Sequence, residues 1–237
     1  MTTEDSMVDR FFYYFCDEIT KINISSQPTL HKKLLFASLL DCLGKSRYPK
    51  KGNDRILYLI DEYSGWRDKD RVSLVQLGIF LERNPDYSSE LLSYVRLNLN
   101  KMASGTIYHA EIDPFINDIL VSKNIKYKEL FEKFRYADLF YSYRHLMIHE
   151  FREPGHPIEM SQDPTTPYYH SCMDHEMQNN WELVFPLTIF RDICQGCLDN
   201  LRTYFKHTQK DPYEAYNFGN LWVSENKLNK IILKQPK

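Results

Sequence analysis

Apolar residues in the first two-thirds of the chain recur at three- and four-residue intervals, the spacing of one face of an α-helix. Over residues 6–20, Val8, Phe11, Phe12, Phe15 and Ile19 share such a face, and Pro28 closes the linker that follows. Thr29 can cap a second helix running to about Gly44, with Leu34, Leu35, Ala37, Leu39 and Leu43 as its buried side. A third covers Asp54 to Tyr63 through Ile56, Leu57, Leu59 and Ile60 and stops at Gly65. Two more are predicted over 69–82, ended by Asn84-Pro85, and over 88–101, begun by Ser88 and Ser89. Residues 103–114 read as a loop, and Pro114 suits the first turn of a short helix to about Val121.

The longest expected element runs from Tyr127 to about Phe151, some 25 residues without glycine or proline, and ends before Glu153-Pro154-Gly155. Beyond it, Pro154, Pro157, Pro164 and Pro167 fall within fourteen residues and open a surface excursion over 153–186. Inside the excursion, Tyr168 to Cys172 and Trp181 to Phe185 carry a β-like pattern and can pair as a hairpin across 173–180. Helical spacing returns over 187–205 through Ile189, Phe190, Ile193, Cys194, Cys197, Leu198 and Leu201. The expected architecture is mainly α: a helical bundle with a small β-hairpin excursion, one domain over 1–210 and a loosely held tail over 211–237.

Composition narrows the function classes. Eight glycines, against about 17 expected at average usage, leave little room for a glycine-loop binding site. Thirty Lys+Arg against 32 Asp+Glu give a net charge of −2, so any nucleic-acid binding must come from local charge. Five cysteines and the acidic start MTTEDSMVDR fit a reduced, cytoplasmic setting without a secretory leader. No apolar run approaches the ~20 residues that span a bilayer. Gly44-Lys45-Ser46 ends like a phosphate-binding loop, but Leu39 stands where the earlier glycine is required. What remains is a basic segment, Lys45, Arg47, Lys50 and Lys51 around Tyr48, suited to contacting an RNA backbone and stacking a base.

Five of the eight histidines (His145, His149, His156, His170 and His175) fall within residues 145–175. On the long helix, Asp138, Tyr141, His145, His149 and Arg152 follow helical spacing as a polar stripe among Leu139, Tyr143, Leu146, Met147 and Ile148. Such a stripe faces solvent, a partner or a ligand. The turn after it adds Glu150, Glu153, His156 and Glu159, with a helix C-cap built around Gly155.

Within the stripe stands Arg144-His145-Leu146-Met147-Ile148-His149. This resembles the Arg-x4-6-His motif of the HEPN superfamily (higher eukaryotes and prokaryotes nucleotide-binding), whose members often carry Asn, Asp or His directly after the arginine, as His145 does here. The likeness is strict over six residues, and its helical context covers about 30–154. It implies a metal-independent endoribonuclease with Arg144 and His149 as catalytic pair and His145 in support, Arg152 adding charge for RNA. It also implies a homodimer with a composite cleft, toxin or antiviral-defence biology, an antitoxin or sensor chain as partner, and no cofactor or metal. The alternative is a non-catalytic HEPN-like module that binds nucleotide, RNA or a protein through the same stripe. One departure is chemical: where related proteins paired with a nucleotidyltransferase carry R-x4-H-x-Y, this chain has Phe151, which lacks the hydroxyl that would accept a nucleotide.

The chemistry suits the pair. When a ribose 2′-hydroxyl attacks its own phosphate, the enzyme supplies a base, an acid and positive charge. Imidazoles can do either proton task, and guanidinium binds phosphate oxygens in a fork. Five residues along a helix separate two side chains by about 140° and 7.5 Å, so convergence between two copies is easier than within one. A metal site is the competing reading: His145 and His149 could share an ion completed by His156, His170 or Cys172, although the H-E-x-x-H glutamate spacing is lacking. Cys194 and Cys197 read as buried thiols in an apolar helix.

Overall fold

The computed structural model describes residues 6–87, 89–100, 107–109, 112–123, 127–155, 165–173, 179–216 and 225–232. Helices dominate. α1 (Met7–Ile24), α2 (Thr29–Arg47), α3 (Arg55–Tyr63), α8 (Tyr136–Glu150) and α9 (Leu187–Thr208) enclose the main core. Phe36, Leu40, Phe140, Phe190 and Leu201 lie at its centre without solvent exposure, each burial stabilising by about 1.5–3 kcal/mol. A second apolar cluster joins α4 (Leu74–Arg83), α5 (Ser89–Leu99), α6 (Ile116–Lys123) and α7 (Lys128–Lys133) through Val72, Leu77, Val95, Ile119 and Phe131. α10 (Glu225–Ile232) lies within the expected tail.

The expected hairpin forms. β2 (Tyr168–Met173) pairs antiparallel with β3 (Asn179–Val184), His170 opposite Glu182. A third strand, β1 (Ile107–His109), adds to the other edge of β2, in a stretch expected to be loop.

Local signals explain several boundaries. Ser6 caps α1 by accepting from the Asp9 amide, and Ser73 does the same for α4 from Gln76, which is why that helix begins at Leu74 and not at residue 69. Gly196 marks the closest approach of α9 to the end of α3: a Cβ there would fall 2.0 Å from the Ser64 carbonyl oxygen. Ser88, expected to help start α5, lies outside the described residues.

Two larger expectations are also corrected. The single helix over 127–151 is two helices, α7 and α8, separated at Phe134 and Arg135. Arg135 is extended there, bridging Val72, while the Phe134 carbonyl accepts from the Ser73 amide and the Tyr136 amide donates to the Arg71 carbonyl. Tertiary main-chain bonds replace the intrahelical ones, and the Arg135 guanidinium fixes the break by bonding Asp61, Asp70 and Asp138. The buried face of α2 is also rotated from the expected one: Lys33, Phe36, Ala37, Leu40 and Leu43 face inward, Leu34 and Leu39 are half-buried, and Leu35 is 45% exposed.

Candidate functional site

α8 carries the motif, and the chain after it decides what the motif meets. The helix ends at Phe151, whose left-handed backbone (φ 53°) reverses the chain, so the cap is Phe151 and not a structure centred on Gly155. A non-glycine residue in that region is uncommon and costs on the order of 1 kcal/mol. The reversal is held from beyond: Glu153 returns to the helix, accepts from the Tyr143 hydroxyl, and pairs with the fully buried Lys33 ammonium at 2.6 Å. Lys33 also sits over the Tyr143 and Phe190 rings. This anchor was not legible as such in the sequence, where Lys33 is an ordinary helical lysine and Glu153 one of several charges in a turn.

His145 and His149 both lie exposed on the C-terminal half of α8, one turn apart, with ring centroids separated by 4.2 Å. Arg144 takes the opposite course. Its side chain is only 14% exposed and turns toward α2, where one terminal nitrogen stands 3.6 Å from an Asp41 carboxylate oxygen. That carboxylate is already held by both Nε and a terminal nitrogen of Arg55, at 3.0 and 2.6 Å. The Arg144 Nε is buried without a hydrogen-bond partner among the described residues. Burial pushes the Arg144 guanidinium below its usual range, with Asp41 opposing. Arg144 is therefore a desolvated cation whose donors are incompletely engaged, next to a carboxylate committed elsewhere.

Within one copy, then, Arg144 and His149 diverge, as a 140° turn about the helix axis requires. Between them lies an apolar surface of Ile148 (37% exposed) and Phe151 (63%), on α8 and its end. His31 packs beside Phe151 at 5.6 Å. Tyr141 is half-buried, and Asp138 is drawn away from the polar stripe by Arg135. Arg152 is exposed and paired with Glu150 at 2.5 Å.

The basic segment sits elsewhere. α2 and α8 run antiparallel, His31 meeting Phe151 and Asp41 meeting Arg144, which puts Lys45 to Lys51 toward the opposite end of α8 from His149. The separation along the axis is about 20 Å at 1.5 Å per residue. Tyr48 is buried in the main core between Tyr58 and Tyr63, so its ring is not placed to stack a base. Arg47 is enclosed by tyrosines, its Nε donating to the Tyr63 hydroxyl and its guanidinium lying 4.4 Å from the Tyr204 ring centroid. Lys45 lies over Tyr216 and Lys51 over Tyr58, while Lys50 is exposed. A neighbouring cleft of about 450 Å³ carries Asp54, Asp61, Glu132 and Asp138 around Arg135, a charge balance that repels phosphate.

No family model, curated protein or solved structure matches this chain. The residues alone carry the reading. Among the described residues no group of three or more His, Cys, Asp or Glu is placed to hold a metal ion. His156, Glu159 and His175 lie outside the described residues, as does the Cys172 side chain. Cys194 and Cys197 are fully buried, their thiols against the Phe36 and Leu59 carbonyls, and burial pushes both pKa values up. Among the described residues no helix is long and apolar enough to cross a membrane.

A second feature escaped the sequence entirely. On the other side of the histidine pair, α8 presents Leu139, Ser142, Tyr143 and Leu146 to an open cavity of about 270 Å³ whose remaining lining is Trp181, Glu182 and Leu183 of β3, Phe185, Pro154, Gly155 and Gln76. Around α8 the order is thus cavity, histidines, apolar surface, Arg144. Imidazoles between a pocket and a half-satisfied guanidinium can exchange protons with a ligand, and the guanidinium can take an anion.

Proposed function

We propose that the chain is a metal-independent endoribonuclease of the HEPN type that works as a homodimer. The observation that carries this reading is the state of Arg144: a mostly buried guanidinium with donors left over, on the same helix as two exposed, adjacent imidazoles. A buried cation held short of full hydrogen bonding favours an incoming phosphate, since the anion completes what the fold leaves incomplete.

In this reading an isologous dimer forms over Ile148 and Phe151, and each cleft takes Arg144 from one copy and the histidines from the other. His149 removes the proton from the ribose 2′-hydroxyl. The 2′-oxygen then bonds to phosphorus, the bond from phosphorus to the 5′-oxygen breaks, and the His149 imidazole, now protonated, passes that proton to the leaving oxygen. Arg144 stabilises the crowded phosphate, and His145 orients the His149 ring. The products are a 2′,3′-cyclic phosphate and a free 5′-hydroxyl, with no other reactant consumed. Arg152 supports the RNA backbone near the histidines; Lys50 and Lys51 are too distant to touch the same phosphate. A toxin or antiviral effector in a reducing cytoplasm, held in check by an antitoxin or sensor chain, fits such an activity.

The test is direct. Purified protein in excess EDTA is expected to cut single-stranded RNA and leave cyclic-phosphate ends, and Arg144→Ala or His149→Ala to abolish cutting while the circular dichroism spectrum stays unchanged. Cutting that survives both substitutions contradicts the reading. RNA binding without cutting by the wild type assigns the site to a non-catalytic HEPN-like module instead.

A further inference from the structure

The outward face of α1 carries aromatic surface that no described residue covers. Phe11, Phe12, Phe15, Ile19 and Ile22 turn into the core, where α1 packs on α2 and α9. At about 100° per residue, the opposite side of the helix is Arg10, Tyr13, Tyr14, Asp17 and Lys21. Tyr13 is 76% exposed and Tyr14 58%. An apolar residue exposed alone needs no explanation. Two adjacent tyrosines in the middle of a helix face are another matter, because they offer large, stiff contact area of the kind enriched where proteins meet.

The charges around the tyrosines say what covers them. Arg10 is exposed and makes no ion pair with a described residue. Asp17 gives Oδ2 to Lys21 at 2.7 Å, a solvated pair one turn apart, while its Oδ1 has no partner among the described residues. Arg10 and Asp17 lie two turns apart along one line of the helix, about 10 Å, and equally far from the midpoint between Tyr13 and Tyr14. A two-fold axis through that midpoint, normal to the helix, therefore brings Arg10 of each copy against Asp17 of the other and each tyrosine against its counterpart. Parallel pairing sets Arg10 against Arg10 and Asp17 against Asp17, so like charges exclude it. The mixed signs also fit poorly to RNA or an acidic membrane, which a face of one positive charge attracts.

We infer that α1 is a self-association surface on which two copies pair antiparallel about Tyr13 and Tyr14, with two Arg10-to-Asp17 ion pairs fixing the register. The 18-residue helix is about 27 Å long, so a contact through α1 alone falls below the roughly 1,200 Å² of standard interfaces and belongs to the weak, transient class. Association through it depends on concentration. The surface shares no residue with the apolar patch on α8 and does not rest on the ribonuclease reading. Where both two-fold contacts form, copies join into tetramers or open chains.

Sedimentation velocity of the full chain, from micromolar to near-millimolar concentration, is the experiment. The wild type is expected to gain mass with concentration, and less so in high salt, which screens exposed charges. Arg10→Asp or Asp17→Arg is expected to weaken association about tenfold, since each turns two exposed attractions into repulsions, and the two substitutions together to restore it. Tyr13→Ala with Tyr14→Ala should abolish it. All four positions are exposed, so the circular dichroism spectrum is expected to stay unchanged in every variant. A wild-type mass that is constant over the whole range or indifferent to Arg10→Asp overturns the proposal, as does a charge-swapped double variant that stays apart. RNA cleavage is the separate readout, and Arg10→Asp is expected to cut as the wild type does. Association that follows the charge swap in a protein that cuts no RNA removes the nuclease reading and keeps this surface. Cutting by a protein whose mass ignores the α1 substitutions does the reverse.

Discussion

The motif helix starts at Tyr136, and its start is tied to a buried acid whose charge can be switched off. Asp113 has no solvent exposure, yet it accepts from the Tyr136 and Tyr169 hydroxyls, both at 2.6 Å, and from the Leu74 amide at 3.0 Å. It thereby joins α4, β2 and α8. Burial raises its pKa from the ordinary 3.8 to about 6, while the three donors partly hold it down. The folded protein thus binds this proton more tightly than the unfolded chain does, so the stability it contributes is complete below about pH 4 and is lost as pH climbs through about 6. The span from 3.8 to about 6, at 1.36 kcal/mol per pH unit, is about 3 kcal/mol. Asp113→Asn copies the protonated acid and should abolish this slope. Urea denaturation of both proteins from pH 4 to 7.5 checks it, the difference between them cancelling every other titrating group. The variant is expected to gain about 2.4 kcal/mol of that relative to the wild type across this range, since part of the loss has already occurred at pH 4. A difference that stays constant, or moves the other way, would refute the buried-charge account of this junction.

Other perturbations separate structural from functional roles. Glu153→Gln leaves the buried Lys33 ammonium without its counter-charge and should cost about 3–5 kcal/mol in thermal denaturation, most of it recovered when Lys33→Met is added. Gly196→Ala improves helix propensity by about 1 kcal/mol, but the Ser64 carbonyl stands in the way of the new methyl, so calorimetry should show net destabilisation. Tyr48→Ala should lower the melting temperature sharply, a buried aromatic truncation costing about 3–5 kcal/mol, whereas Lys50→Ala should leave both stability and RNA cleavage unchanged.

The helical periods and the hairpin were legible because both depend on local spacing and local punctuation. Phe11, Phe12, Phe15 and Ile19 line one buried face, as their spacing requires, and Tyr168 to Met173 finds its partner across a short connection. The break at Phe134 and Arg135 was not legible, because no glycine or proline marks it; it exists only through bonds to residues 71–73, more than sixty positions earlier. The face of α2 is not legible locally, since its leucines crowd two sides of the helix and the decisive inward residue is a lysine, paired with an acid that local pattern cannot link to it. For the site, the exposure of both histidines agrees with their polar stripe, whereas the basic segment around Tyr48 fails as a stacking surface because three further tyrosines enclose it and Arg47. Asp41 matters for the same reason: it acquires its role from Arg55 and Arg144, brought in from other elements.

In the proposed nuclease, Arg144 and His149, which diverge within a copy, act together across two copies. Mixing the Arg144→Ala and His149→Ala proteins after unfolding and refolding them together tests it. Random pairing makes half the dimers mixed, each with one intact cleft of two, so cleavage is expected to return to about a quarter of the wild-type rate. A mixture as inactive as its parents, with mixed dimers demonstrably present, would contradict the shared cleft.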